Sequence, residues 1–297
     1  MYSRAKYKDA ENSKSEWQDI VDPIASKKYD GAHFYLEFDH SGRPRFISRR
    51  ESVKPGVGYP DRTEKLPHLA SIILPSKAGH VYNVELIHTG QTKDATESHP
   101  AISGILNSLP EKAIFTQTST GPVRAVIIDV VNPKLDTFRE KITEINSLVN
   151  EAGKPDIMFA PEFIHGIRDI NNLIKNTESS GDEGIIVTSG SIPENNNVRI
   201  KIKHRNTYNL RVGKILQEFD IKGNPKKSAG ALALYDRTGT YVGNVGTGFT
   251  RDLRKEIYNN PHKFLDKIIQ VVAMKPTAHK IRSAVYNGFA DGEIDTI

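Results

Sequence analysis

The sequence predicts an α+β protein in two parts. Residues 1–227 form a domain of antiparallel sheets with flanking helices, and residues 228–297 form a small β-barrel. Three observations predict this. Up to residue 187, strand-length apolar runs alternate with segments of helical periodicity. After residue 228, short strands and turns follow in close succession. Between them the charge changes sharply. Residues 199–227 carry nine Lys or Arg (199, 201, 203, 205, 211, 214, 222, 226, 227) against Glu218 and Asp220, an excess of seven where the whole chain has +5.

The bulk properties set bounds. A chain of 297 residues with 37% hydrophobic content can bury a core, and nothing in its composition predicts general disorder. No run approaches 18 apolar residues, so no membrane span is expected. Met1-Tyr2-Ser3-Arg4 opens no signal-peptide pattern. Without cysteine there are no disulfides, thiolate metal sites or cysteine nucleophiles, and a cytoplasmic setting is expected. The positive charge permits a polyanionic partner without establishing one.

Residues 1–20 read as a polar arm leading to a short helix or strand around Trp17. Ser26-Lys27-Lys28-Tyr29-Asp30-Gly31 then opens a strand, Ala32–Phe38, which turns at His40-Ser41-Gly42 into Phe46-Ile47-Ser48-Arg49-Arg50. Lys28, one spacer, then Asp30-Gly31 fits a nucleophilic amine at the mouth of a hairpin. Gly31 allows close backbone approach, and Asp30 orients the lysine. The same four residues also open ordinary solvated turns, so their partners decide. A loop over 60–66 and a short helix over 68–74 come next.

Val81–Ile87 is an apolar strand interrupted by Glu85, a carboxylate either on a wet face or held for a ligand. A helix is expected over 95–109, and Val123–Val131 has the pattern of a buried central strand. Leu135, Phe138, Ile142, Ile145, Leu148 and Val149 predict a core-facing helix over 134–152, stopped by Gly153. After a strand at 157–159 and a helix over 167–176, Glu183 enters the β-branched strand Gly184-Ile185-Ile186-Val187.

Arg199-Ile200-Lys201-Ile202-Lys203 alternates, placing both lysines on one face. Such a face suits phosphate chemistry, and equally suits an edge strand that uses Lys against aggregation. Lys222–Ser228 is the expected linker. Strands over 229–235, 241–245 and 268–274, with a helix over 250–258, match the density of a five-stranded barrel of the OB type.

In their order and spacing, Lys28-Xaa-Asp30-Gly31, Ser48-Arg49, Glu85, the central strand, Glu183-Gly-Ile-Ile-Val and Lys201-Xaa-Lys203 resemble the covalent nucleotidyltransferase superfamily. Val242–Thr250 is similar to the start of the OB domain of ATP-dependent DNA ligases of the small phage, viral or minimal bacterial type. The resemblance implies an adenylation domain followed by an OB domain. It further implies an enzyme that seals nicks in duplex DNA through lysyl-AMP and an adenylated 5′-phosphate.

By the same resemblance, Lys28 is the nucleophile, and Lys201 and Lys203 hold the α-phosphate. Ser26, Asp30, Gly31, Arg49, Glu85, Ile128 and Glu183 complete the nucleotide site, with Glu183 and Glu85 organising Mg²⁺ or Mn²⁺. Nucleic-acid contact falls to His33, Arg50, Arg205, Lys226 and Lys227. The expected cofactor is ATP, and the expected partner of this monomer is nicked double-stranded DNA.

The alternatives are an RNA ligase of the same superfamily and a catalytically impaired nick- or end-binding protein. The departures from the pattern are His33 where the family has Arg, Ile128 where it has a base-stacking aromatic, and Asn83 where it often has Asp. The tail from Asn287 to Asp295 is acidic where a basic motif is expected, and Lys280 and Arg282 are its candidate substitutes.

Overall fold

A computed structural model describes residues 6–9, 16–52, 56, 58–88, 98–277 and 279–297. The chain divides into two compact units, Met1–Lys203 and His204–Ile297.

The first unit contains β1 (Lys6–Asp9), β2 (Pro23–Lys27), β3 (Ala32–Phe38), β4 (Pro44–Ser48), α1 (Pro67–Ala70) and β5 (Val81–Ile87). It continues with α2 (Ser98–Asn107), α3 (Pro110–Thr120), β6 (Arg124–Val130), α4 (Phe138–Ala152), β7 (Met158–Phe159) and β8 (Ile164–His165). α5 (Ile167–Ser179), β9 (Gly184–Ser189) and β10 (Val198–Lys203) complete it. Two five-stranded sheets result, one ordered β4-β3-β5-β6-β7 and the other β1-β10-β9-β2-β8. All pairings are antiparallel except β1 with β10 and β6 with β7.

The first sheet buries Leu36, Phe46, Tyr82, Leu86 and Ile127 against Ile145 and Leu148 of α4. The helical periodicity read over 134–152 is therefore the core stripe of α4, which starts later than expected. Its Thr137 caps the helix, Thr137 Oγ1 accepting from the Glu140 backbone N–H while Glu140 accepts from that of Thr137. The second sheet packs Ala25, Ile185, Val187, Ile200 and Ile202 on Trp17, Ile170 and Ile174.

In the second unit, β11 (Asn206–Phe219), β12 (Pro225–Tyr235), β13 (Tyr241–Val245), α6 (Arg251–Asn259), β14 (Ile268–Thr277) and β15 (Lys280–Phe289) follow. They form one five-stranded antiparallel sheet ordered β13-β12-β11-β14-β15. The Tyr286 N–H on β15 donates to Thr247 O just after β13 (2.9 Å), so the sheet curls until its two edges meet. The strand count and curl agree with the OB-type expectation, and the whole chain is α+β as predicted.

Several expectations need correction. The units part between Lys203 and His204, not between 227 and 228. Lys222–Ser228 is no linker: it spans the turn of the β11–β12 hairpin, where Asp220 accepts from the Lys222 and Asn224 backbone N–H groups (both 2.8 Å). Its Gly, Asn and Pro are turn residues inside a sheet. The helix expected over 68–74 is only the single turn α1. In place of one helix over 95–109 there are two, because Pro110 starts α3 and Gly121 ends it. Residues 89–97, where that helix was to begin, lie outside the described residues. Among the described residues no helix is long and apolar enough to cross a membrane.

Candidate active site

β2, β9 and β10 lie side by side, and their registers arrange three rows across one sheet face. Ile24 pairs with Thr188 and Ser26 with Ile186, while Lys201 pairs with Ile186 and Lys203 with Gly184. The Lys28 backbone N–H donates to Gly184 O (2.8 Å), which sets Lys28 at the end of the row that Lys203 also joins. The other wall comes from the first sheet through His33 of β3, Glu85 of β5 and Ile128 of β6, with Arg49 just past β4. A single cavity is lined by both walls.

Lys28 Nζ is hydrogen-bonded and ion-paired to Glu183 Oε2. One residue earlier the same pattern repeats, Lys27 Nζ lying 2.6 Å from Asp182 Oδ1. Gly184 is what lets Glu183 stand there. Its φ is 143°, and a Cβ on it would meet Ile202 O at 2.0 Å. Gly31 is constrained by contact rather than by torsion: a Cβ would meet Leu86 O at 2.3 Å. Its N–H donates to Glu85 Oε1 (3.1 Å), fixing that carboxylate in the cavity.

Burial pushes Glu85 up to about 8, with Lys28 opposing and Glu183 reinforcing the shift. His33 is driven the other way. Desolvation lowers it to about 4, against a hydrogen bond between its Nε2 and Asn83 Oδ1 (3.0 Å) and with Arg49 and Lys201 adding to the shift. The imidazole is therefore neutral near pH 7 and brings no cation to a phosphate. His33 lines the cavity and is held there by its hydrogen bond with Asn83.

Of the residues expected at the nucleotide, Ser26, Lys28, Arg49, Glu85, Ile128 and Lys201 line the cavity, and Glu183 reaches it through Lys28. Asp30 and Lys203 flank it without lining it. Arg50 is exposed beside Arg49 in a neighbouring polar depression with Glu51 and Tyr59. Arg205, Lys226 and Lys227 belong to the second unit and are exposed, Lys226 being paired to Glu218 (2.6 Å).

Sequence reading missed Lys27, Phe138, Thr188 and Arg199 as lining residues. Arg199 was legible in principle, standing at i and i+2 with Lys201 on the same strand face. It is buried and bonded to Asp129 Oδ2 (2.9 Å) and Glu194 Oε1 (3.0 Å), and Lys141 Nζ of α4 also reaches Asp129 (3.4 Å) and Glu194 (3.2 Å). Two cations and two carboxylates thus form a closed cluster behind the cavity. Burial alone would raise Asp129, but Arg199 and Lys141 outweigh it and hold the carboxyl below its ordinary value.

Among the described residues, no three His, Asp or Glu side chains come together as a metal cluster. Glu85 and Glu183 are a carboxylate pair. Such a pair suits a hard divalent cation that takes its remaining oxygens from water and phosphate.

No protein-family model matches the sequence, and no curated protein matches it. Among solved structures the chain is similar to one from a structure–function study of Lig E DNA ligases, described there as binding DNA with a minimal scaffold. The identity is 15% over 97% of this chain and 98% of that one, with a TM-score of 0.66. It is also similar to two forms of a protein named Pmar-Lig, at 12% and 11% identity. These matches cover 96% of this chain and 67% of theirs, with TM-scores of 0.69 and 0.68. At such identities the likeness shows a common fold, the one these ligases have.

Proposed function

We propose that this chain is an ATP-dependent DNA ligase that seals nicks in duplex DNA through a lysyl-AMP intermediate on Lys28. The observation that carries the proposal is the setting of Lys28. A lysine amine is held on one carboxylate, with a second carboxylate and the cations Lys201 and Arg49 around the same cavity. That is a site for a polyanion whose reacting phosphorus must meet an amine.

In the first step the Lys28 amine, released from Glu183 and deprotonated, attacks the α-phosphorus. A P–N bond forms, the bond to the bridging oxygen breaks and pyrophosphate leaves. Lys201 and Arg49 face the α-phosphate and offset the charge on its oxygens. In the second step a 5′-phosphate oxygen of the nicked strand attacks the same phosphorus, and Lys28 departs with a proton. In the third the 3′-hydroxyl attacks the 5′-phosphate and AMP leaves, closing the strand. All three are displacements at phosphorus, so positioning and charge matter more than a dedicated acid and base.

Glu85 and Glu183 would hold a divalent cation, Mg²⁺ or Mn²⁺, which when bound supplies positive charge to the phosphate oxygens. Arg205, Lys226, Lys227 and Arg50 are the proposed contacts to the nucleic-acid backbone. The protein would act as a monomer in the cytoplasm, where ATP and nicked duplexes occur together.

The deciding experiment is incubation with α-labelled ATP and Mg²⁺ followed by denaturing electrophoresis, for wild type, Lys28→Ala and Lys27→Ala. Label that survives denaturation in wild type and Lys27→Ala but vanishes in Lys28→Ala supports the covalent mechanism. Wild type that takes no label after pyrophosphate stripping sinks it.

A further inference from the structure

The cavity has a direction that its chemistry makes legible. Lys28 stands in the row of Gly184 and Lys203. Ser26, Ile186 and Lys201 form the next row, and Ile24 shares its row with Thr188, with Arg199 beyond. Moving from Lys28 to Ile24 therefore brings in Ile186, Ile24 and the Thr188 hydroxyl, and the cation at that end, Arg199, is already paired with Asp129 and Glu194. Four strand residues separate the two ends, roughly 13 Å at the rise of a strand. That span accommodates a phosphate, a ribose and a base laid along the sheet.

The far end is closed by Phe138, the first residue of α4. Its ring is buried, lines the cavity and carries the Arg199 guanidinium 4.9 Å from its centroid. Phe163 packs against it edge-on, with centroids 5.7 Å apart and planes at 82°. The Arg139 N–H donates to Gly190 O (3.1 Å), and the Arg139 guanidinium bonds Asp22 (2.8 Å), tying this end of the helix to the floor of the site. Tyr29, another aromatic of the lining, stands at the Lys28 end with Lys27 beside its ring (5.7 Å).

We propose that Phe138 is the base-recognising aromatic of this cavity, the ring a purine reaches and a pyrimidine does not. The proposal rests on the nucleotide reading of the site and adds to it the residue that selects the base. With its phosphate anchored at the Lys28 row, a nucleotide places a two-ring base against Phe138, while a one-ring base leaves a gap there. The Arg199 guanidinium against the ring is held by Asp129 and Glu194, so Phe138 stays in place whether or not a base is bound.

The test measures self-adenylation with ATP and formation of the corresponding adduct with CTP, in wild type, Phe138→Ala, Phe138→Leu and Phe138→Tyr. Binding of ATP and CTP to the Lys28→Ala protein, with and without each Phe138 change, gives a readout independent of turnover. Loss of an aromatic contact is expected to raise KM for ATP up to about tenfold, with a smaller change in kcat, and to narrow the ATP-to-CTP preference. Phe138→Leu keeps bulk in the core and should show the same loss. Phe138→Tyr should restore the preference. A folded Phe138→Leu protein with wild-type KM and wild-type preference overturns the proposal while leaving the nucleotide reading intact. Wild type that neither forms an adduct nor binds ATP overturns both.

Discussion

Arg199 of β10 and Asp129 of β6 join the two sheets of the first unit through a buried contact, Nη1 lying 2.9 Å from Oδ2. Each residue belongs to a strand that also supplies the cavity, Arg199 beside Lys201 and Asp129 beside Ile128. The spacing between the two cavity walls is thus set by a charge pair rather than by apolar packing alone. Three properties of the protein are expected to follow from this and the neighbouring contacts, and a fourth concerns the β11–β12 hairpin of the second unit.

Replacing Asp129 by Asn leaves Arg199 and Lys141 as buried cations with one carboxylate, Glu194, between them. The expected cost is about 3–5 kcal/mol of stability, the usual penalty for breaking a buried pair from one side. Because the folded-state value of Asp129 is depressed, its contribution is present above the ordinary carboxylate range and is lost as pH falls through the lower folded value. The gap between wild type and Asp129→Asn in denaturant titrations should shrink as pH is lowered from 7 into the acid range. Equal stability at pH 7 would remove the cluster from any role in holding the walls.

His33 is expected to stay neutral down to about pH 4. The unfolded chain takes a proton near pH 6.5, so the protein should lose stability as pH falls between those values and gain none above them. In His33→Gln that part of the acid limb should flatten. Following the imidazole by NMR decides the matter, and an imidazolium signal at pH 6 would contradict the buried setting.

Glu85 is displaced upward, so the folded state holds its proton more tightly than the unfolded state does. The burial penalty is absent below the ordinary carboxylate range and grows as pH rises towards about 8. Glu85→Gln, which keeps an acceptor for the Gly31 N–H, should melt with wild type at pH 4.5 and several degrees above it at pH 9. Label transfer from ATP should be lost in the same variant. A variant less stable than wild type at pH 9 would mean that the carboxylate is held by attraction to Lys28 instead.

Lys226 is already paired with Glu218, whereas Lys227 stands exposed next to it on the hairpin. Lys227→Ala should therefore weaken nicked-duplex binding more than Lys226→Ala. It should also reduce the dependence of log affinity on log salt by about one unit. Fluorescence anisotropy over a salt series measures both. Unchanged slopes in the double variant would take this hairpin out of the contact surface.

The cavity was largely legible in the sequence because its residues sit at fixed offsets on strands. Lys28 precedes a Gly that only close packing explains, and Glu183 and Lys201 alternate in step with buried isoleucines. Phe138 was hidden because helical spacing marks it as core, and it is core: the same ring is also the end wall of the site. The unit boundary was misplaced for a different reason. Gly223, Asn224 and Pro225 form a hairpin turn, and turn composition alone does not distinguish a hairpin from a linker. β11 escaped notice because its polar Lys214, Gln217 and Glu218 break the apolar alternation that β12 retains. The depressed value of His33 was not legible at all, since it depends on which neighbours bury it.

Gly184 has a consequence at the level of the gene. Every single-base change of a glycine codon that is not silent and does not stop translation introduces an amino acid with a Cβ. At this position that atom would lie 2.0 Å from a neighbouring strand's carbonyl oxygen. No missense step away from glycine is open here, even toward alanine. A saturation library selected for strand joining should return glycine at residue 184.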